Sequence, residues 1–143
     1  MSTINHSLRF LMSLARAQSI ISRRFDGLNA HGIGFNDFVI LYLLRQAPGE
    51  KLRRTDLAEK IGITASGVTR SLIPLEKIGL VKREANERDA RVSYVVLTET
   101  GKIVFEEAKE TASHLAREII PSEKMKNLQP LSDMLAGLGG NLA

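Results

Sequence analysis

Arginine and hydroxyl side chains recur through the middle of the sequence, and their chemistry suits contacts with phosphate groups and base edges. A guanidinium presents a planar fork of donors that matches a phosphate or the O6 and N7 atoms of guanine. A serine or threonine hydroxyl can contact either a phosphate or a base edge, and a glycine lets a backbone approach closely. The candidate nucleic-acid contacts are Arg53, Arg54, Thr64, Ser66, Gly67, Thr69, Arg70, Arg88, Asp89 and Arg91.

The basic charge of the chain is concentrated in the same region. The 143 residues carry 20 Lys and Arg against 16 Asp and Glu, a net charge of +4. Residues 51–91 hold ten basic against six acidic side chains, whereas residues 1–50 hold five against three and residues 92–143 five against seven. A basic segment between a less basic one and an acidic one indicates an electrostatic footprint for phosphate.

Several other chemistries are excluded or disfavoured by composition. The chain has no cysteine, so disulfides, thiolate metal sites and thiol redox sensing are excluded. The three histidines are far apart without carboxylates at ligand spacing, and we expect no metal and no cofactor. We find no nucleophile–base set and no phosphate-binding glycine motif, so we expect no enzyme activity and no catalytic residues. No apolar run approaches ~20 residues and no signal peptide is visible, so we expect a cytoplasmic protein without membrane contact.

Apolar spacing predicts a mostly helical chain. Residues 7–28 predict a long first helix and residues 35–46 a second, largely apolar one. Towards the other end, Thr98 is suited to cap a fifth helix that runs to about Ile120. A sixth helix follows, which Pro130 is expected to kink or split.

The middle of the chain predicts two short helices followed by a β-hairpin. Residues 52–61 form the third helix, Gly62 supplies the left-handed conformation that ends it, and Thr64 caps the fourth. Residues 80–84 and 92–97 are β-prone runs joined by a polar loop. A helix-turn-helix followed by a hairpin is a winged helix, whose second helix fits the major groove while the hairpin reaches the neighbouring backbone or minor groove. Pro74 within the fourth helix is expected to be a tolerated kink.

The same stretches resemble the MarR (multiple antibiotic resistance regulator) family of bacterial transcription regulators. The resemblance lies in LAEKIGIT at residues 57–64, VTR at 68–70 and LEKIGLV at 75–81. Its most specific piece is D-x-R-x-x-x-x-x-L-T-x-x-G at residues 89–101. It covers about residues 32–102. The resemblance implies that the terminal helices interlock with those of a second copy, so that the homodimer presents two DNA-binding parts.

The resemblance also implies roles for individual residues. It places Arg70 at a DNA-contacting position, where the alternative is a plain surface charge. Asp89 is expected to orient Arg91 for a minor groove, although Arg88 can do the same work and a surface ion pair of at most ~1 kcal/mol is the alternative. In the family, aromatic acids and other lipophilic anions often bind near the dimer core. The candidates here by position are Arg16, Phe35, Phe38 and Tyr42, with plain core packing as the alternative.

The sequence therefore predicts an α+β chain, mostly α with a small β-hairpin wing. We assign residues 1–143 to one domain, with a winged helix-turn-helix at 32–102 and dimerisation helices at 1–31 and 103–143. The expected function is a homodimeric regulator that binds a pseudo-palindromic double-stranded DNA operator, acting as a repressor released by a small aromatic or lipophilic anion. The alternatives are a protein-interaction winged helix and a non-specific architectural DNA binder.

Overall fold

The computed structural model describes residues 3–142, which form six α-helices and a three-stranded sheet. Two α-helices precede the first strand, two lie between the first and second strands, and two follow the third. The helices are α1 (His6–Arg24), α2 (Phe35–Gln46), α3 (Arg54–Ile61), α4 (Ala65–Lys77), α5 (Glu99–Ile119) and α6 (Leu128–Gly137), and the strands are β1 (Lys51–Arg53), β2 (Val81–Ala85) and β3 (Ser93–Leu97).

One apolar core joins α2, α3, α4, the sheet and α5. Leu41, Leu44, Leu57 and Val68 are completely buried within it. Each leucine or valine buried in this way stabilises the fold by about 1.5–3 kcal/mol relative to an exposed one. The core also extends beyond residues 32–102, since Phe25 and Leu28 on one side and Phe105, Ala108 and Ala112 on the other belong to the same cluster.

The sheet contains a strand that the sequence pattern did not reveal. β3 is central and pairs antiparallel with β2 on one side and with β1 on the other. The predicted start of the third helix at residue 52 is wrong, because Leu52 pairs with Val95 of β3 and the helix begins at Arg54. A strand of three residues is too short to show an alternating pattern, and only pairing with β3 stabilises it.

The first helix is shorter than the pattern predicted. α1 begins after Asn5, whose Oδ1 accepts from the Leu8 N–H at 2.7 Å, and it ends at Arg24. Phe25 stacks on Phe35 with ring centroids 4.2 Å apart, and the chain continues as a 3-10 helix over Asp26–His31. The apolar spacing continues through this segment, which is why the sequence predicted one uninterrupted helix.

The terminal helices lie outside the core. Neither α1 nor α6 contributes a buried residue. The prediction that Pro130 kinks or splits the last helix is wrong: a 3-10 segment, Ser122–Asn127, precedes α6, and Pro130 lies in the first turn of α6, where its missing N–H has no intrahelical acceptor. Within residues 3–142, no helix is long and apolar enough to cross a membrane.

Candidate nucleic-acid interface

Helix α4 presents a polar face to solvent. The predicted cap is confirmed, since Thr64 Oγ1 accepts from the Gly67 N–H at 3.1 Å. Ser66 and Arg70 are exposed, and Thr69 is half-buried with its hydroxyl donating to the Ala65 carbonyl at 3.0 Å. Val68 packs inward. The first two turns of α4 therefore carry hydroxyl groups and one guanidinium on their solvent side.

The second half of α4 adds an outward residue that sequence reasoning missed. The helix continues through Pro74 to Lys77. Ile73 lies one turn beyond Arg70 on the same side and its exposed fraction is 47%. Its position three residues after Arg70 was the available signal, because residues at i and i+3 share a helix face.

The loop of the hairpin carries an oriented arginine. We call the loop between β2 and β3, residues 86–92, the wing loop. The Asp89 carboxylate accepts from Arg91 Nε at 3.1 Å and from Nη2 at 3.3 Å, and also from the Arg91 N–H at 3.0 Å. The Arg91 side chain itself remains 90% exposed. The hydrogen bonds from Arg91 lower the pKa of the Asp89 carboxyl below its usual value, with a smaller contribution from the charge of Arg53.

Three arginines meet where the wing loop returns to the sheet. Arg53 ends β1, Arg54 begins α3, and both line a cleft of about 200 Å³ together with Arg91. Thr55 lies on the same cleft. Residues almost forty positions apart therefore form one cationic surface. The sequence indicated these arginines as candidates, but it did not show that they lie together.

The wing loop also depends on two residues that the sequence analysis did not single out. Asn86 Oδ1 accepts from the backbone N–H of Arg88 at 2.8 Å and of Asp89 at 3.2 Å. Asn86 Nδ2 donates to the Tyr94 hydroxyl at 3.3 Å. An asparagine at the start of a hairpin loop is a known turn former, and that was the available signal.

An aromatic cavity of about 700 Å³ lies between α2 and α5. Of the predicted ligand candidates, Phe35, Phe38 and Tyr42 line it. Phe38 stacks on Phe105 with centroids 5.1 Å apart, so the same rings also serve the core. Its volume falls in the range of about 300–1,000 Å³ that small-molecule sites occupy.

The fourth ligand candidate, Arg16, does not line this cavity. It lies on α1 beside Met12, around a separate surface hollow. The cations at the cavity are Arg45, which pairs with Glu106 at 3.5 Å, and Lys109, which pairs with the same carboxylate at 3.2 Å. Lys109 is the main cause of the lowered pKa of Glu106. No group of three or more acidic or histidine side chains that could hold a metal ion is found within the described part of the chain.

Comparison with known proteins gives one consistent family. Residues 36–93 match the model of the MarR family. Over 141 residues, covering 99% of this chain and 84% of the relative, the chain is 27% identical to the uncharacterised HTH-type transcriptional regulator YdgJ of Bacillus subtilis.

Solved structures agree in fold. The MarR family transcriptional regulator Sco3205 of Streptomyces coelicolor, solved in complex with DNA, superposes with a TM-score of 0.78 at 23% identity, covering 95% of this chain and 90% of that one. An organohalide-sensing transcriptional regulator bound to 2,4-dichlorophenol gives a TM-score of 0.79 at 18% identity, covering 94% and 82% of the two chains. Residues 36–93 therefore match the MarR-family model, and the chain has the overall fold of MarR-family transcriptional regulators.

Proposed function

We propose that the chain is a DNA-binding transcription regulator that acts as a homodimer on a pseudo-palindromic operator. In this proposal α4 enters the major groove, where Ser66, Thr69 and Arg70 meet base edges and phosphates. The wing loop reaches the adjacent minor groove with Arg91. Two copies related by a two-fold axis contact half-sites about one helical turn, ~10 bp, apart.

The observation that carries the proposal is the cleft shared by Arg53, Arg54 and Arg91. It joins the N-terminus of α3, whose N–H groups favour anions, to an exposed and oriented arginine of the wing loop. Such a surface is suited to a phosphate backbone rather than to an apolar protein partner. The existence of a similar fold in complex with DNA supports the same conclusion.

The terminal helices support the homodimer. Leu8, Leu11 and Met12 of α1 are each 46–54% exposed, and Leu131, Met134 and Leu135 of α6, with Leu138 directly after it, are each 40–55% exposed. Two amphipathic helices with no buried residue indicate a protein interface, since large exposed apolar patches are uncommon on monomers. A second copy of the chain supplies it.

The test is selection of DNA fragments by the purified full-length chain at physiological salt, followed by sequencing. We expect recovery of an inverted repeat, bound with an affinity whose logarithm falls steeply with the logarithm of salt concentration, by roughly 0.9 per phosphate contact. Equal retention of all sequences would support an architectural binder instead. Retention of none, with flat salt dependence, would support a protein-interaction module.

We propose that the aromatic cavity binds a small aromatic anion and that this binding releases the protein from DNA. In this proposal the regulator acts as a repressor. The stacked rings supply the apolar walls, and Arg45 and Lys109 supply positive charge at the rim. The dichlorophenol complex of a protein with the same fold supports this ligand class. The repressor assignment itself rests on the family resemblance.

The cavity proposal is tested with benzoate and its neutral analogue benzamide. We expect benzoate to raise the melting temperature and weaken operator binding, benzamide to do so less, and Arg45→Gln to remove the difference. Arg16→Gln is the matched control, because Arg16 does not line the cavity of this chain. If benzoate leaves both measurements unchanged in the parent, the rings are core residues only.

A further inference from the structure

We propose that Asn86, braced by Tyr94, is a positioning residue that fixes the wing loop and thereby presents Arg91 to its ligand. The proposal rests on the proposed DNA-binding function for the identity of that ligand. It assigns Asn86 and Tyr94 a role within the protein that does not depend on their own contact with nucleic acid.

The side-chain oxygen and the backbone N–H of Asn86 both form hydrogen bonds within the wing loop. Its oxygen accepts from two successive backbone N–H groups, those of Arg88 and Asp89. Its own backbone N–H donates to the Val92 carbonyl at 3.1 Å, and the Val92 N–H donates to the Asp89 carbonyl at 3.0 Å. The loop is thus closed at its base and held from inside, in the manner of an Asx turn.

The arginine is connected to this turn through Asp89. The Asp89 carboxylate receives three hydrogen bonds from Arg91, and the Asp89 backbone N–H is one of the two groups that Asn86 holds. An ion pair this exposed contributes little energy and orients a guanidinium only if its carboxylate is itself fixed. Asn86 provides that fixed point.

Tyr94 anchors the amide to the rigid part of the molecule. It lies on the central strand β3, opposite Arg53 of β1 and Glu84 of β2. Lys51 Nζ lies 5.0 Å from the centre of the Tyr94 ring and pairs with Glu84 at 3.0 Å. The Tyr94 hydroxyl, which accepts the hydrogen bond from Asn86 Nδ2, belongs to a side chain on the central strand. The sheet therefore fixes the position of the loop.

The first measurement needs no DNA. In the full-length chain we would measure ¹⁵N order parameters for residues 86–92 in the parent, Asn86→Ala, Asn86→Asp and the exposed neighbour control Ala85→Ser. We expect Asn86→Ala to lower the values at Arg88 and Asp89 from about 0.85 to below about 0.6. Asn86→Asp keeps the acceptor oxygen and should retain them. Parent-like values in Asn86→Ala would overturn the proposal.

The second measurement links the loop to binding on the selected operator. We expect Asn86→Ala to weaken affinity about threefold to tenfold, as the loss of the Asn86 side-chain hydrogen bonds predicts. The loss should disappear in an Arg91→Ala background, because Asn86 acts through Arg91. Tyr94→Phe removes only the hydroxyl and should give a smaller loss in the same direction.

The two measurements distinguish a failure of the role of Asn86 from a failure of the proposed DNA-binding function. A loosened loop with parent-like DNA affinity would overturn the presentation of Arg91. A loss that persists undiminished in the Arg91→Ala background would show that Asn86 acts through another group and would also overturn it. If the parent retains no DNA at all, the proposed function fails, whereas the order parameters still decide whether Asn86 fixes the loop.

Discussion

At the scale of single residues, the two candidate arginines differ in what holds them. Arg70 projects from a helix whose backbone fixes its starting point, on the exposed side opposite Val68. Arg91 projects from a loop and owes its direction to the Asp89 carboxylate. An arginine on a helix in the major groove can form specific hydrogen bonds to the edge of one base pair. An arginine in a minor groove responds instead to the width and the electrostatic potential of the groove.

This difference predicts that the two arginines lose DNA affinity in different ways when they are replaced. Arg70→Ala should weaken operator binding by ~1–3 kcal/mol and relax the preference at one symmetric pair of positions. Arg91→Ala should weaken binding to all operators alike, with some bias towards the loss of A·T-rich flanks. Fluorescence anisotropy against single-base operator variants measures both, with Arg88→Ala as the matched control. If Arg88→Ala is the damaging change and Arg91→Ala binds like the parent, the residue that enters the groove is Arg88.

The ion pair of the wing loop also predicts a titration. Because Arg91 lowers the pKa of Asp89 in the folded chain, the carboxylate remains charged and the contact stays complete at neutral pH. It weakens only as the pH falls below the ordinary aspartate value of about 3.9 and through the lower folded pKa. An NMR titration should show this low pKa in the parent and a return towards the ordinary value in Arg91→Ala. An unchanged Asp89 pKa in that variant would contradict the pairing.

At the scale of elements, the start of α5 fixes the wing relative to the helices. Thr98 Oγ1 accepts from the Gly101 N–H at 3.0 Å and donates to the carbonyl of Gly79 at 2.6 Å, in the turn that ends α4. The Thr98 N–H donates to the Leu80 carbonyl at 3.1 Å. One threonine therefore caps α5 and ties it to the turn between α4 and β2.

The close approach at Gly101 makes a sharp prediction about stability. A Cβ there would overlap the Leu80 carbonyl oxygen and lie 2.7 Å from Leu97 Cδ1. Gly101→Ala should therefore lower the free energy of unfolding by about 1–3 kcal/mol, since backbone must move to admit it. Gly137→Ala in α6 is the matched control, because its Cβ would meet nothing within 4 Å, and it should be neutral or slightly stabilising. Equal denaturation midpoints for the two variants would refute the close packing.

At the scale of the whole molecule, the proposed homodimer rests on the exposed apolar residues of α1 and α6. Replacing Leu131 or Leu135 with Glu puts a charge on the face assigned to the second copy without touching the core, because α6 buries nothing. We expect each variant to shift sedimentation from dimer to monomer while circular dichroism stays parent-like. Ser132→Glu is the control on the same helix. Parent-like sedimentation of both leucine variants would contradict the assignment of α6 to the dimer interface.

Much of this architecture follows from local sequence signals. Thr64 and Thr98 were predicted as caps from residue type and position alone, and both accept the expected N–H at 3.0–3.1 Å. The core-facing residues of α2 are buried, as its largely apolar sequence predicted, and Val68, Leu72 and Leu75 of α4 are buried at helical spacing. Caps, turns and amphipathic spacing act within a few residues of one another, so the sequence by itself determined these helices, the hairpin and the position of the candidate arginines along the chain.

Long-range contacts required the tertiary structure. β1 exists because Leu52 meets Val95, and α1 ends where Phe25 turns to stack on Phe35. The cleft of Arg53, Arg54 and Arg91 and the hold of Tyr94 on Asn86 likewise join separate elements. Such pairings depend on how the sheet and helices pack in space, and no local pattern encodes them, because the partners lie on different elements.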